Sequence, residues 1–113
     1  MSGHADRTAA RRLRLNASVL AKSRAYRGWG FIATKLPHRL KNIDLITLDV
    51  GSKYRCPLAQ AMGSGYGDAQ DQLGLSDAQC VEYGFMEDRL VTFAELTAAW
   101  QSVLVEAQAK AAA

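Results

Sequence analysis

The chain has 113 residues, 49% of them apolar and 22% charged, with a net charge of +3. That length fits one domain, residues 1–113, and can bury a core without staples, which become near-obligatory only below roughly 40 residues. No apolar run approaches the roughly 18 residues of a membrane span, the opening Met1-Ser2-Gly3-His4 has no apolar signal region, and Cys56 and Cys80 form no CxxC or disulfide framework. The expectation is a soluble, non-membrane, cytoplasmic protein with two reduced thiols.

Asp6 to Tyr26 reads as a helix. At about 100° per residue, Leu13, Ala17 and Leu20 share one side, and Leu15, Val19 and Tyr26 another. Arg7, Arg11, Arg14 and Lys22 fill a strip of roughly 80° between them. Arginines in the first turns oppose the helix macrodipole, so the first ten residues are expected to fray. Gly28-Trp29-Gly30-Phe31-Ile32 falls outside that helix. Ile46, Leu48 and Val50 alternate with Thr47 and Asp49, which suits a short strand and one small β-strand pair; Asp44 or Asp49 capping a turn is the alternative.

After residue 55 the signals sharpen. Cys56-Pro57 opens a short helix that Gly63 ends, since proline suits the first helical position and glycine the exit. A second helix over Asp68–Leu73 stops at Gly74. Ser76-Asp77-Ala78-Gln79 is a capping box, and its helix ends at Gly84 with Phe85 behind it. Thr92-Phe93-Ala94-Glu95 is another capping box. Beyond it Phe93, Leu96, Trp100, Val103, Leu104 and Ala107 make one buried stripe, so a helix of about four to five turns runs over Thr92–Ala109 and fades in the alanine tail 108–113. The fold class is therefore mainly α: several short helices organised on a longer C-terminal one.

Charge divides the chain. Residues 1–55 carry twelve of the fourteen Lys and Arg against three acids, a balance of +9, and residues 56–113 balance at −6. A field of one sign steers association, so this pattern concerns partners more than fold. The candidate binding strip is Arg7, Arg11, Arg14, Lys22, Arg24 and Arg27. Trp29 and Phe31 follow it, with Lys35, His38, Arg39 and Lys41. Cations interleaved with aromatics can track phosphates and stack on bases, though core packing of the same aromatics is the plainer reading. A basic half could also meet the acidic half of a second copy, giving a homo-oligomer.

Other constellations are thin. Cys56 at a helix entrance beside Lys53 and Arg55 is a candidate reactive thiol, with burial as a small hydrophobe the favoured alternative. Met62-Gly63-Ser64-Gly65-Tyr66-Gly67 has the glycines of a phosphate loop but neither its lysine nor its spacing. His4, His38, Cys56 and Cys80 lack paired ligand spacing, so no metal and no cofactor are expected. No acid, base and nucleophile stand together, and catalysis is not expected.

Ile43-Asp44, Leu48-Asp49-Val50, Cys56-Pro57-Leu58-Ala59-Gln60, Leu73-Gly74-Leu75, Tyr83-Gly84-Phe85 and Leu96-Thr97-Ala98-Ala99-Trp100 span over half of the chain. This pattern resembles a group of small actinobacteriophage and actinobacterial proteins. Pro57 stands where that group has an aliphatic residue, and Ala59 where it has glycine. The resemblance implies no activity or catalytic residue. It implies a context: a phage accessory protein in the cytoplasm of a bacterial host. The charge polarity and the lack of catalytic signals point to a non-enzymatic binder, of a host protein first of all, with nucleic acid as the other partner class.

Overall fold

The computed structural model describes the backbone of residues 2–112 and the side chains of residues 16–111. Five α-helices follow one another: α1 Ser2–Lys35, α2 Pro57–Met62, α3 Tyr66–Leu73, α4 Asp77–Glu82 and α5 Phe93–Ala112. A 3-10 helix, Pro37–Asn42, follows α1. No strand occurs among the described residues, so the expected strand pair is absent.

The reason lies in where the 43–56 backbone hydrogen bonds go. The Asp44 carboxylate accepts from the backbone N–H of Ile46 at 3.0 Å and the Thr47 hydroxyl at 3.2 Å. Asp49 accepts from the Gly51 N–H at 3.1 Å. The Val50 N–H donates to the Thr97 hydroxyl at 3.0 Å, reaching across to α5. Donors taken by aspartate turns and a side chain cannot build a ladder. Of the alternating residues Leu48 and Val50 are buried while Ile46 is exposed, so the alternation marks a buried face only in part.

α5 is the organising element. Leu96, Trp100, Val103 and Leu104 are buried on one stripe, and the Thr92 box closes its start. The Glu95 N–H donates to the Thr92 hydroxyl at 3.2 Å, while the Thr92 N–H donates to the Glu95 carboxylate at 2.9 Å. Ser76 and Gln79 make the same reciprocal pair at α4. Gly63, Gly74 and Gly84 carry the left-handed φ values of 68°, 64° and 71° that their stop positions require.

α1 is longer than its sequence suggests, running nine residues past Tyr26 and straight through Gly28 and Gly30. Its inward face is Ala21, Ala25, Gly28 and Ile32, an i, i+4, i+7, i+11 stripe of mostly small residues. A Cβ on Gly28 would stand 2.0 Å from the Tyr83 carbonyl and 2.5 Å from the Trp100 ring. The glycine is thus where α1 meets both the α4 exit and α5. Tertiary contact replaces the local helix preference that glycine lacks.

α1 and α5 run in the same direction. Ser18 and Lys22 lie beside Ala94, Glu95 and Ala98, and Trp29 beside Leu104, Ala107 and Ala111. Between the helices the α4 exit is wedged in. Trp100 donates its indole N–H to the Gly84 carbonyl at 2.8 Å, and its ring stacks on Phe85 at 5.8 Å. Phe31 stacks on Tyr83 at 4.8 Å. This aromatic column joins α1, α4 and α5 into one core.

Candidate interaction surface

Of the six strip residues, the structure describes the side chains of three. The side chains of Arg7, Arg11 and Arg14 lie outside the described residues; their backbone belongs to α1. Lys22, Arg24 and Arg27 are described, and each meets a different fate.

Arg24 points into the protein and is 8% exposed. Its guanidinium makes a two-pronged pair with Asp88, both bonds at 3.0 Å. Asp88 also accepts from the backbone N–H groups of Leu90 and Val91, at 2.9 and 3.1 Å. The Arg24 bonds above all, and then these two, hold its carboxyl down at about 2. Arg24 is therefore an internal strut between α1 and the loop before α5. In sequence, Asp88 beside Glu87 and Arg89 gave no sign of a partner 64 residues away.

Lys22 reaches Glu106 of α5 at 2.7 Å, and the Tyr26 hydroxyl donates to the same carboxylate. These two hydrogen bonds keep Glu106 ionised below the ordinary glutamate range, and the Glu106 bond raises both Lys22 and Tyr26. The cluster is partly solvated, so its stabilising worth is small. Arg27 stays on the surface, exposed and, among the described residues, in no ion pair.

Among the described residues, two ion pairs join the basic half to the acidic half, Lys22–Glu106 and Arg24–Asp88. Asp68, Asp71, Glu87 and Glu95 of the acidic half take no part in them. Glu87 instead accepts from the Phe93 N–H at 3.2 Å. Arg27, Lys35, His38, Arg39 and Lys41 are exposed around the second half of α1 and the 3-10 helix after it. Arg39 is tied loosely to the α2 exit, donating to the Ala61 and Met62 carbonyls at 3.4 and 3.3 Å.

The interleaved aromatics are largely occupied. Phe31 belongs to the aromatic column and Trp29 packs on the core, while Tyr26 bonds Glu106. A surface that stacks bases on Trp29 and Phe31 is not what this packing presents.

Cys56 is fully buried, and its sulfur accepts from the Ala59 N–H at 3.4 Å, capping α2. Burial pushes its thiol up, outweighing the helix N–H groups that favour a thiolate. Cys80 is also buried and raised. The Tyr66 hydroxyl is buried near Cys80 without a hydrogen-bond partner, and desolvation raises it strongly. Gly63, from the glycine-rich loop, serves as the left-handed exit of α2.

No cluster of three His, Cys, Asp or Glu able to hold a metal ion occurs among the described residues, and no described helix is long and apolar enough to cross a membrane. No family model matches the chain, and neither a curated protein nor a solved structure matches it.

Proposed function

We propose that the protein is a non-enzymatic interaction protein that holds an acidic macromolecule through its basic first half. With the resemblance of its later residues to actinobacteriophage proteins, the reading becomes a phage-encoded accessory protein that binds and modulates a host protein. One observation carries it: folding brings the two halves of opposite charge together but leaves most of the described cations of the first half without an ion pair. Excess charge of one sign that is not consumed internally attracts a partner of the other sign. The test is capture from actinobacterial lysate with the intact protein, repeated with Arg27→Glu and Lys35→Glu. The expected result is a specific partner that the charge-reversed protein loses. A capture indifferent to both substitutions removes the basic surface from the proposal.

A second reading, nucleic-acid binding, is favoured by the shape of the basic element. α1 is a single helix of 34 residues, about 51 Å long at 1.5 Å per residue. Among the described residues its contacts with α5 reach back to Ser18, and Arg7, Arg11, Arg12 and Arg14 precede that point in the sequence. Duplex binding would weaken steeply with salt, by roughly 0.9 in log–log slope for each phosphate neutralised. Arg11→Glu with Arg14→Glu would flatten that slope. Retention on heparin at low salt is the quick screen, and free passage there rejects this reading.

A further inference from the structure

A cavity of about 340 Å³ lies where the turns after Val50 meet the starts of α3 and α5. Its apolar walls are Val50, Tyr66, Phe85, Met86 and Phe93. Ser52, Lys53 and the backbone of Gly51 and Gly67 complete the lining, and no described residue of α1 contributes. Pockets for small ligands run from roughly 300 to 1,000 Å³, so this one suits a single ring with a short polar end.

Gly51 shapes its wall, and Gly65, outside the lining, sets the course of the Lys53 stem. A Cβ on Gly51 would press within 3.2 Å of the Phe93 ring, so that turn lies flat against the ring. A Cβ on Gly65 would approach the Lys53 stem at 3.1 Å. The Lys53 side chain is therefore laid across Gly65, and its carbonyl accepts from the Tyr66 N–H at 2.8 Å. Among the described residues the lysine is in no ion pair; its ammonium lies over the exposed Tyr54 ring, 5.4 Å from the ring centre, and it is the sole formal charge in the lining. Glu87, next to Met86 in sequence, is engaged by the Phe93 N–H. The Tyr66 hydroxyl lies towards Cys80, which leaves Ser52 and Lys53 as the polar side chains of the rim.

The geometry points to a binding site for a small free carboxylate that carries an aromatic or branched apolar group, its ring against Phe93 and Met86 and its anion at Lys53. An apolar wall supplies the affinity, and one cation on the rim selects the sign of the ligand.

The test uses a matched pair of probes, 3-phenylpropionate and its uncharged amide, followed by NMR on the full chain. The expected result is saturable shifts at Gly51, Lys53 and Gly67, with the carboxylate bound about two- to fivefold more tightly, as suits one solvated charge pair. Lys53→Met keeps the stem over Gly65 and should erase that preference while leaving the shifts. Gly67→Phe, at a position where a Cβ meets nothing within 4 Å, should block both probes. Absence of shifts at these amides up to about 10 mM of either probe overturns the site, since even millimolar binding would then show. Equal affinity for acid and amide overturns the anion assignment. A short peptide ending in phenylalanine that binds more than about tenfold tighter than phenylpropionate (some 1.4 kcal/mol,) would make this a dock for chain ends instead. None of these outcomes touches the basic surface of α1.

Discussion

Arg24 shows how one residue's role depends on what lies across the fold. Its guanidinium is buried, so it needs a partner at fixed geometry, and Asp88 provides two parallel bonds. Removing the carboxylate would leave the cation uncompensated in a desolvated place. Asp88→Ala is expected to cost about 2–3 kcal/mol in urea unfolding, above the share of an ordinary surface pair. The same pair gives a pH signature. The Asp88 carboxyl is lowered from 3.8 to about 2 in the folded protein, so the folded state binds its proton less readily than the unfolded chain. The stability it contributes is present above pH 3.8 and is lost as the pH falls through about 2. Because solvent reaches 30% of the Asp88 side chain, that contribution is about 1 kcal/mol. Asp88→Asn should accordingly flatten the acid limb of the stability curve between those two values; an unchanged limb would assign the pKa shift to some other cause.

Among the elements, α1 parts most clearly from its sequence pattern. Two glycines within three residues, Gly28 and Gly30, argue locally against a helix, each by about 1 kcal/mol relative to alanine. The helix passes through both because Gly28 is the point of closest approach to Trp100 and to the Tyr83 carbonyl. Gly30 has nothing within 4 Å of an added Cβ. The two therefore respond oppositely to the same change. Gly30→Ala should stabilise by about 0.5–1 kcal/mol through helix propensity. Gly28→Ala should destabilise by about 2–4 kcal/mol, since a backbone carbonyl and a buried indole must both give way. Chemical denaturation of the two variants decides it, and a neutral Gly28→Ala would contradict the packing described. By contrast α4 and α5 were legible from their ends. Capping boxes and glycine stops satisfy backbone groups within a few residues, so their information is local. The strand expected near Val50 failed for the complementary reason: alternation does not say which partner takes the N–H groups, and of its apolar positions Leu48 and Val50 are buried but Ile46 is not.

For the whole molecule, both thiols are sealed in one core. Cys56 and Cys80 are fully buried, Cys56 capping α2 and Cys80 lying in α4. A thiol reagent should thus react with either only when the protein opens globally, and the labelling rate should follow unfolding free energy across the Gly28 and Gly30 variants. Fast labelling of native Cys56 would show a local opening at the α2 entrance. The candidate surface follows a similar division. Sequence counted the charges and located their asymmetry, which no folding event can alter. It could not say that Lys22 and Arg24 are drawn to Glu106 and Asp88, 84 and 64 residues on, nor that Lys53 would face a cavity walled by Met86 and Phe93. The sequence by itself determined composition, helix class after residue 55, caps, stops and net polarity, because these depend on neighbours a turn or two apart. Tertiary structure alone decided how far α1 runs, which cations remain at the surface, and where apolar walls leave a gap. Those depend on groups brought together by burial of a shared core, and burial has no spacing rule along the chain.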